Sequence, residues 1–236
     1  RYVDIDTNDT WARDFGVIST INPNGEFILN DFQFNGWGLK FAACKDNLIT
    51  RELIKKGILK GIYNNCMGFT LEGGAIESDG NGLMLTTSEC LLSPNRNGDL
   101  SKEEIEHYIS SQFGLKKILW LDYGFLEGDD TDSHIDTLAR LAPNNTIVYV
   151  STDDPTDIHY DALLSMKKQL MNFTNIENIP FNLIELPLPD PIFDEDGTRL
   201  PATYANFLIM KESVIMPIYN QPQKDLLAIQ NMAIAF

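Results

Sequence analysis

The chain predicts an α/β fold built from repeats, and three observations carry that prediction. Short β-hairpins recur along the sequence, each followed by an amphipathic helix and then a short apolar strand, at a spacing of roughly sixty residues. The 43% hydrophobic content over 236 residues is enough to bury a sizeable core. No apolar run approaches the roughly 20 residues a membrane span needs, and no basic-plus-apolar leader opens the residues shown, so a soluble protein is expected. The period is long for a solenoid and natural for a radial α/β arrangement, which makes 1–236 one domain of repeated units.

The elements follow in order. Asn24-Gly25 joins Val17 through Ile21 to Phe27-Ile-Leu29, and Asp79-Gly-Asn-Gly82 joins Leu71 through Glu77 to Leu83 through Thr87, both with turn chemistry that tolerates positive φ. The segment His134 to Val150 fits a third hairpin with Pro143-Asn-Asn145 as its turn. A fourth pairs Tyr204 through Met210 with Val214 through Tyr219 across Lys211-Glu-Ser213. Helices are expected over Asp46 to Lys60, from the capping box Ser101-Lys-Glu-Glu104 to about Gln112, from about His159 to Asn172, and from about Gln223 to Phe236. Apolar strands are expected at Lys117 to Leu121 and Phe181 to Leu186.

Pseudo-symmetry would bring the polar residues at the hairpin starts together. These are Trp11-Ala-Arg-Asp14, Glu72-Gly-Gly74, His134-Ile-Asp136 and Tyr204-Ala-Asn206. Asp14, Glu72 and Asp136 are candidates to hold a planar cation, because fork-like N–H donors pair with carboxylates in bidentate geometry. Gly73 and Gly74 would let a ligand or backbone approach closely. In Glu127-Gly-Asp-Asp-Thr-Asp-Ser-His134-Ile-Asp136, a histidine sits among carboxylates that favour its charged form, so His134 is the acid/base candidate. His107 and His159 fall on or beside expected surface helices. Trp11 could stack on a cation.

Composition narrows the partners. Eighteen basic against 34 acidic residues give a net charge of -16, which disfavours nucleic acid and anionic membranes and draws cationic ligands. Cys44, Cys66 and Cys90 are odd in number and lack CxxC spacing, so a reducing, cytoplasmic location is the simpler expectation, and no zinc site is indicated. A calcium loop starting at Asp130 would need a glycine at Ile135 and a glutamate at Leu141, and one starting at Asp132 meets Thr137 and Pro143. Chemistry on a guanidinium would benefit from a thiolate, because the resonance-stabilised cation resists water. None of the three cysteines stands at a hairpin start: Cys44 precedes a helix, Cys66 is expected in a linker, and Cys90 follows a strand.

The chain resembles the agmatine deiminases of the Porphyromonas-type peptidylarginine deiminase family, in the guanidine-modifying superfamily. The resemblance lies in Asn8-Asp-Thr-Trp-Ala-Arg-Asp14, Phe34-Asn-Gly-Trp-Gly38, Leu71-Glu-Gly-Gly74, Leu85-Thr-Thr-Ser-Glu-Cys-Leu91, Asn95-Arg-Asn97 and Asp130-Thr-Asp-Ser-His-Ile-Asp136. Leu186-Pro-Leu-Pro189, Arg199 through Phe207 and Pro217-Ile-Tyr-Asn220 extend it over nearly the whole chain. It implies a five-bladed α/β propeller (the pentein fold) with the active site on its axis. By motif position Asp14 and Asp136 would grip the guanidinium, Glu72 would support the guanidinium and His134, and His134 would be the general acid and base. Asp130, Trp11 and Asn206 would line the pocket.

The implied reaction converts agmatine to N-carbamoylputrescine and ammonia through an amidino-cysteine intermediate, a step of polyamine biosynthesis. It needs no cofactor, and family members often form homodimers. Two departures stand out. The family's nucleophilic cysteine lies in a Gly-rich segment near the C-terminus, which these residues do not include, and the text opens in mid-element at Arg1, so the sequence reads as incomplete at both ends. Ser133 replaces the family's usual glycine. Arginine or peptidylarginine as substrate, or a guanidinium-binding module without catalysis, are the alternatives.

Overall fold

In the computed structural model, residues 2–236 are described, and they form two compact units: the residues up to Ala75 with Leu91–His107, and Ile76–Cys90 with Tyr108–Phe236. No helix among the described residues is long and apolar enough to cross a membrane.

The first unit holds one sheet. Strand β1 (Ile18–Ile21) pairs antiparallel with β2 (Phe27–Gln33), and β2 pairs in parallel with β3 (Ile62–Thr70). The helix Ile49–Lys55 makes the crossover between β2 and β3 that a parallel pair requires. It is shorter than expected, with Asp46–Leu48 a 3-10 turn at its start and the helical run over by Lys55. Strand β3 corrects the reading of Cys66 as a linker residue, since Cys66 lies within it and is buried. Asn64 and Asn65 give that stretch the look of a turn, yet the Asn64 amide donates to Asn30 Oδ1 at 2.9 Å and so braces strand to strand.

The second unit repeats the same plan. Strands β4 (Ile76–Ser78), β5 (Leu83–Thr87) and β6 (Lys117–Leu121) form one sheet, and β7 (Ala139–Ala142), β8 (Thr146–Ser151) and β9 (Asn182–Pro187) form another. Each is an antiparallel hairpin with a parallel third strand, and the helices Lys102–Phe113 and Tyr160–Leu170 make the crossovers. The capping box at Ser101 is made: the Glu104 N–H donates to Ser101 Oγ, and the Ser101 N–H donates to Glu104 Oε2 at 2.7 Å. The third-hairpin turn is as expected, with Asn144 and Asn145 at φ of 57 and 55.

Three hairpins are shorter than the sequence suggests, the third because Ile135–Leu138 is a helical turn ahead of β7. Leu71 through Ala75 is not strand, and Gly73–Ala75 is a 3-10 turn ahead of β4. The fourth hairpin keeps only β10 (Leu208–Ile209) and β11 (Val214–Ile215) before the helix Pro222–Ala235. Its flanks are held by side chains instead of a ladder: Tyr204 donates to Asp225 Oδ1 at 2.6 Å and Tyr219 donates to the Thr203 carbonyl at 2.8 Å. Val148, Leu186, Tyr204, Phe207 and Met232 share one buried cluster there.

Candidate active site

Every hairpin is entered through a short turn, and those turns carry the candidate groups. In the first unit, Asp14 sits in the helical turn Ala12–Phe15 and is buried. Its Oδ1 accepts the Gly74 N–H at 2.8 Å, and its Oδ2 accepts the Trp37 indole N–H at 3.1 Å. The Glu72–Gly74 backbone reaches this carboxylate only because residue 73 has no side chain: a Cβ there would stand 2.2 Å from the Arg13 carbonyl oxygen. Burial pushes the Asp14 carboxyl above its ordinary range, while the two N–H donors and Arg13 oppose that shift.

Trp37 is delivered by an unusual piece of backbone. Gly36, Trp37, Gly38 and Leu39 have φ of 67, 53, 81 and 70, and the Leu39 and Lys40 N–H groups donate to the carbonyls of Asn35 and Gly36. This is one turn of left-handed helix. Such a conformation costs a non-glycine residue about 1–2 kcal/mol, so Trp37 and Leu39 carry the strain while Gly36 and Gly38 do not. Asn35 holds the turn, accepting from Gly38 N at 2.9 Å and donating to the Asn95 carbonyl at 2.7 Å.

Glu72 is fully buried and faces a different partner. Arg96 Nε lies 2.9 and 3.0 Å from its two carboxylate oxygens. Burial pushes the Glu72 carboxyl up, and the Arg96 guanidinium pulls it back. Arg96, inside the Asn95-Arg-Asn97 motif, thus serves as the partner of Glu72. Trp11, by contrast, is 60% exposed and caps the Ala12–Phe15 turn.

In the second unit, His134 precedes the helical turn Ile135–Leu138 that contains Asp136, and both side chains are buried. The loop before them is organised by Asp129, whose Oδ1 accepts from Thr131 Oγ1 at 2.6 Å and whose Oδ2 accepts from the Ser133 N–H at 2.8 Å. Thr131 Oγ1 in turn accepts the His134 N–H at 3.1 Å, and Ser133 Oγ donates to Glu89 Oε2 at 2.9 Å. Asp132 and Ser133 both take left-handed backbone, at φ of 62 and 59. Asp130 is exposed and Asn206 half-buried.

His159 lies beside the helix Tyr160–Leu170 as expected, but it is 1% exposed and so not on the surface. Its Nε2 accepts the Glu127 N–H at 2.8 Å, which leaves the proton on Nδ1, 2.6 Å from Asp157 Oδ1. Arg199 closes the cluster at 3.3 Å from Asp157 Oδ2. A histidine two residues after an aspartate gives only a weak sign of this pairing. The sequence also missed Asp129, although Asp129-Asp-Thr131 is the pattern of an Asx turn. Of the cysteines, Cys44 is exposed and Cys90 is buried in the helical turn after β5.

Three comparisons bear on this arrangement. A Porphyromonas gingivalis structure provisionally titled an arginine deiminase is 45% identical, with a TM-score of 0.95 over 99% of this chain and 69% of that one. A Cys-to-Ser variant of the C. jejuni agmatine deiminase, solved with substrate bound, is 42% identical, with a TM-score of 0.89 over 99% of this chain and 67% of that one. A Vibrio parahaemolyticus protein provisionally named agmatine deiminase is 36% identical over 239 residues, or 94% of this chain. The chain spans 66% of that relative's length. The model of the Porphyromonas-type peptidyl-arginine deiminases matches residues 1–236, and the chain belongs to that family.

Proposed function

We propose that this chain carries the cation-gripping and proton-transfer parts of an agmatine deiminase. The observation that carries the proposal is the repeated placement of a buried titratable group on the turn leading into a hairpin: Asp14, Glu72, and His134 with Asp136. Water-poor carboxylates bind a planar cation strongly, and agmatine stays cationic at any physiological pH. In this reading the repeated units belong to a single five-bladed propeller domain. Three hairpin-helix-strand sets and a fourth hairpin with its helix support that part of the reading.

Asp14 and Asp136 would grip the guanidinium, Glu72 would support it, and Asp130, Trp11 and Asn206 would line the pocket. A thiolate from the third of the relatives' length that this sequence does not span would attack the guanidinium carbon. His134 would protonate the departing ammonia and then deprotonate the water that cleaves the amidino-thioether. The sum is agmatine plus water giving N-carbamoylputrescine and ammonia, a supply step for polyamines in the cytoplasm.

The P. gingivalis relative's name favours a second reading, in which free arginine is the substrate. Arginine's carboxylate needs a cationic partner. Arg13 is the basic residue at a hairpin start, and it acts on Asp14 beside it; Arg96, Arg140 and Arg199 are committed to Glu72, Glu77 and Asp157. That supports the substrate without a carboxylate. Ammonia release from agmatine and from arginine by the full-length protein decides between them. Agmatine should be favoured, with loss of turnover in Asp136→Asn, and a preference for arginine would sink the agmatine reading.

A further inference from the structure

We propose that Trp37, presented by a one-turn left-handed helix, is the positioning residue for Asp14, fixing the plane of its carboxylate through the indole N–H before a cation arrives. The proposal rests on Asp14 as a guanidinium ligand, and its geometry is independent of that role. Trp37 Nε1 and Gly74 N each hold one carboxylate oxygen, so rotation about the Asp14 Cβ–Cγ bond would break both hydrogen bonds. Two donors from different segments set a plane where one would leave a hinge.

The backbone allows the indole little alternative. Gly36 cannot carry a side chain, because a Cβ would stand 2.1 Å from the Phe41 carbonyl oxygen. The rings of Phe34 and Phe41 meet the Trp37 indole edge-on at 5.1 and 5.7 Å. Strain held at Trp37 and over-determined by its surroundings is the pattern found where geometry serves a site.

The chemistry of the donor matters as much as its place. Glu72 meets Arg96, a full positive charge that neutralises it. Trp37 and Gly74 are neutral donors, which stabilise the ionised carboxylate without cancelling its charge. Arg13 and Asp9 act on Asp14 through their charges, and Arg96 and Asp14 act on Glu72.

The test uses the full-length protein with Trp37 replaced by β-(3-benzothienyl)alanine, which keeps the indole's shape and lacks the N–H, alongside Trp37→Phe. Asp14 is titrated by carbon NMR of its carboxyl, assigned with Asp14→Asn, and agmatine affinity is measured by calorimetry. The isostere should raise the Asp14 pKa and weaken agmatine about tenfold or more, as loss of a hydrogen bond to a charged group does. An isostere that matches the wild type in both readings overturns the proposal, since Trp37 would then act by shape alone. If the wild type binds no agmatine, the guanidinium reading fails, and the titration by itself decides whether Trp37 governs Asp14.

Discussion

Arg96→Met should be among the most damaging single changes in the first unit, and the structure says by how much. Arg96 and Glu72 have no exposed side-chain surface, and the guanidinium Nε lies 2.9 and 3.0 Å from the two carboxylate oxygens. Removing one partner of a fully buried pair costs about 3–5 kcal/mol, because the other charge stays in a low-dielectric site; an exposed pair would cost about 0–1. For a chain of this size each kcal/mol moves Tm by about 2–4 °C, so Tm should fall by about 6–20 °C. The deficit should also depend on pH. Burial already raises the Glu72 carboxyl, and without Arg96 it rises further. A carboxyl raised in the folded state contributes stability that is fully present below its unfolded pKa of about 4.3 and is lost as pH rises through the folded value. The variant should therefore be weakest at neutral pH and approach the wild type in acid. Calorimetric melts from pH 4 to 8 read both effects, and the double change Arg96→Met with Glu72→Gln should recover most of the loss. A deficit under about 1 kcal/mol at neutral pH would refute the reasoning, because the pair would then behave as an exposed one.

Asp157→Asn tests the opposite sign. Burial alone would raise Asp157, but hydrogen bonds from the His159 backbone and ring and from Arg199 hold it below its ordinary value. The stability it contributes is present above the unfolded carboxylate pKa and lost as pH falls through the folded one, so the variant should melt lower than wild type at pH 7, with the gap narrowing as pH falls below about 4. Ser133→Gly relieves a left-handed residue and forfeits the bond to Glu89, two changes of about 1 kcal/mol each, and its Tm should stay within about 4 °C of wild type. Ser101→Ala removes the capping acceptor for Glu104 N and should cost about 1 kcal/mol in urea unfolding, with no effect on agmatine binding.

The alternation of hairpin, helix and strand was legible because each element has its own period and punctuation. The Ser101 box and the Asn144-Asn145 turn are local signals with local causes, and both are built as the sequence suggests. Strand β3 was not legible, since it is held by pairing with β2 and by Asn64 bridging to Asn30 some thirty residues away, and nothing local distinguishes those asparagines from turn residues. The same limit hid the partners of the candidate residues. Asp14, Glu72 and His134 could be singled out by type and position. The Trp37 indole, the Arg96 fork and the Asp129 loop staple depend on approaches 23, 24 and up to four residues apart in sequence. Only the last of these falls within one turn, and it alone had a readable pattern.

Four acids with little exposure, Asp14, Glu72, Glu77 and Asp157, are met in chemically distinct ways. Glu72 and Glu77 are each matched to an arginine; Arg140, the partner of Glu77, also donates to the Phe207 carbonyl at 2.7 Å and packs over the Phe207 ring. Asp157 meets a histidine and an arginine. Such acids hold segments together, and their charge is spent on the protein itself. Asp14 is also buried; its carboxylate accepts hydrogen bonds from the Trp37 indole and the Gly74 backbone, Arg13 acts on it as well, and burial still raises its carboxyl above its ordinary range. Burying a charge without neutralising it costs stability, and a strained left-handed turn beside it costs more. A fold selected for stability alone would place an arginine or an apolar residue there. A buried carboxylate whose plane is fixed by an indole and a backbone N–H is an arrangement suited to meeting a planar cation.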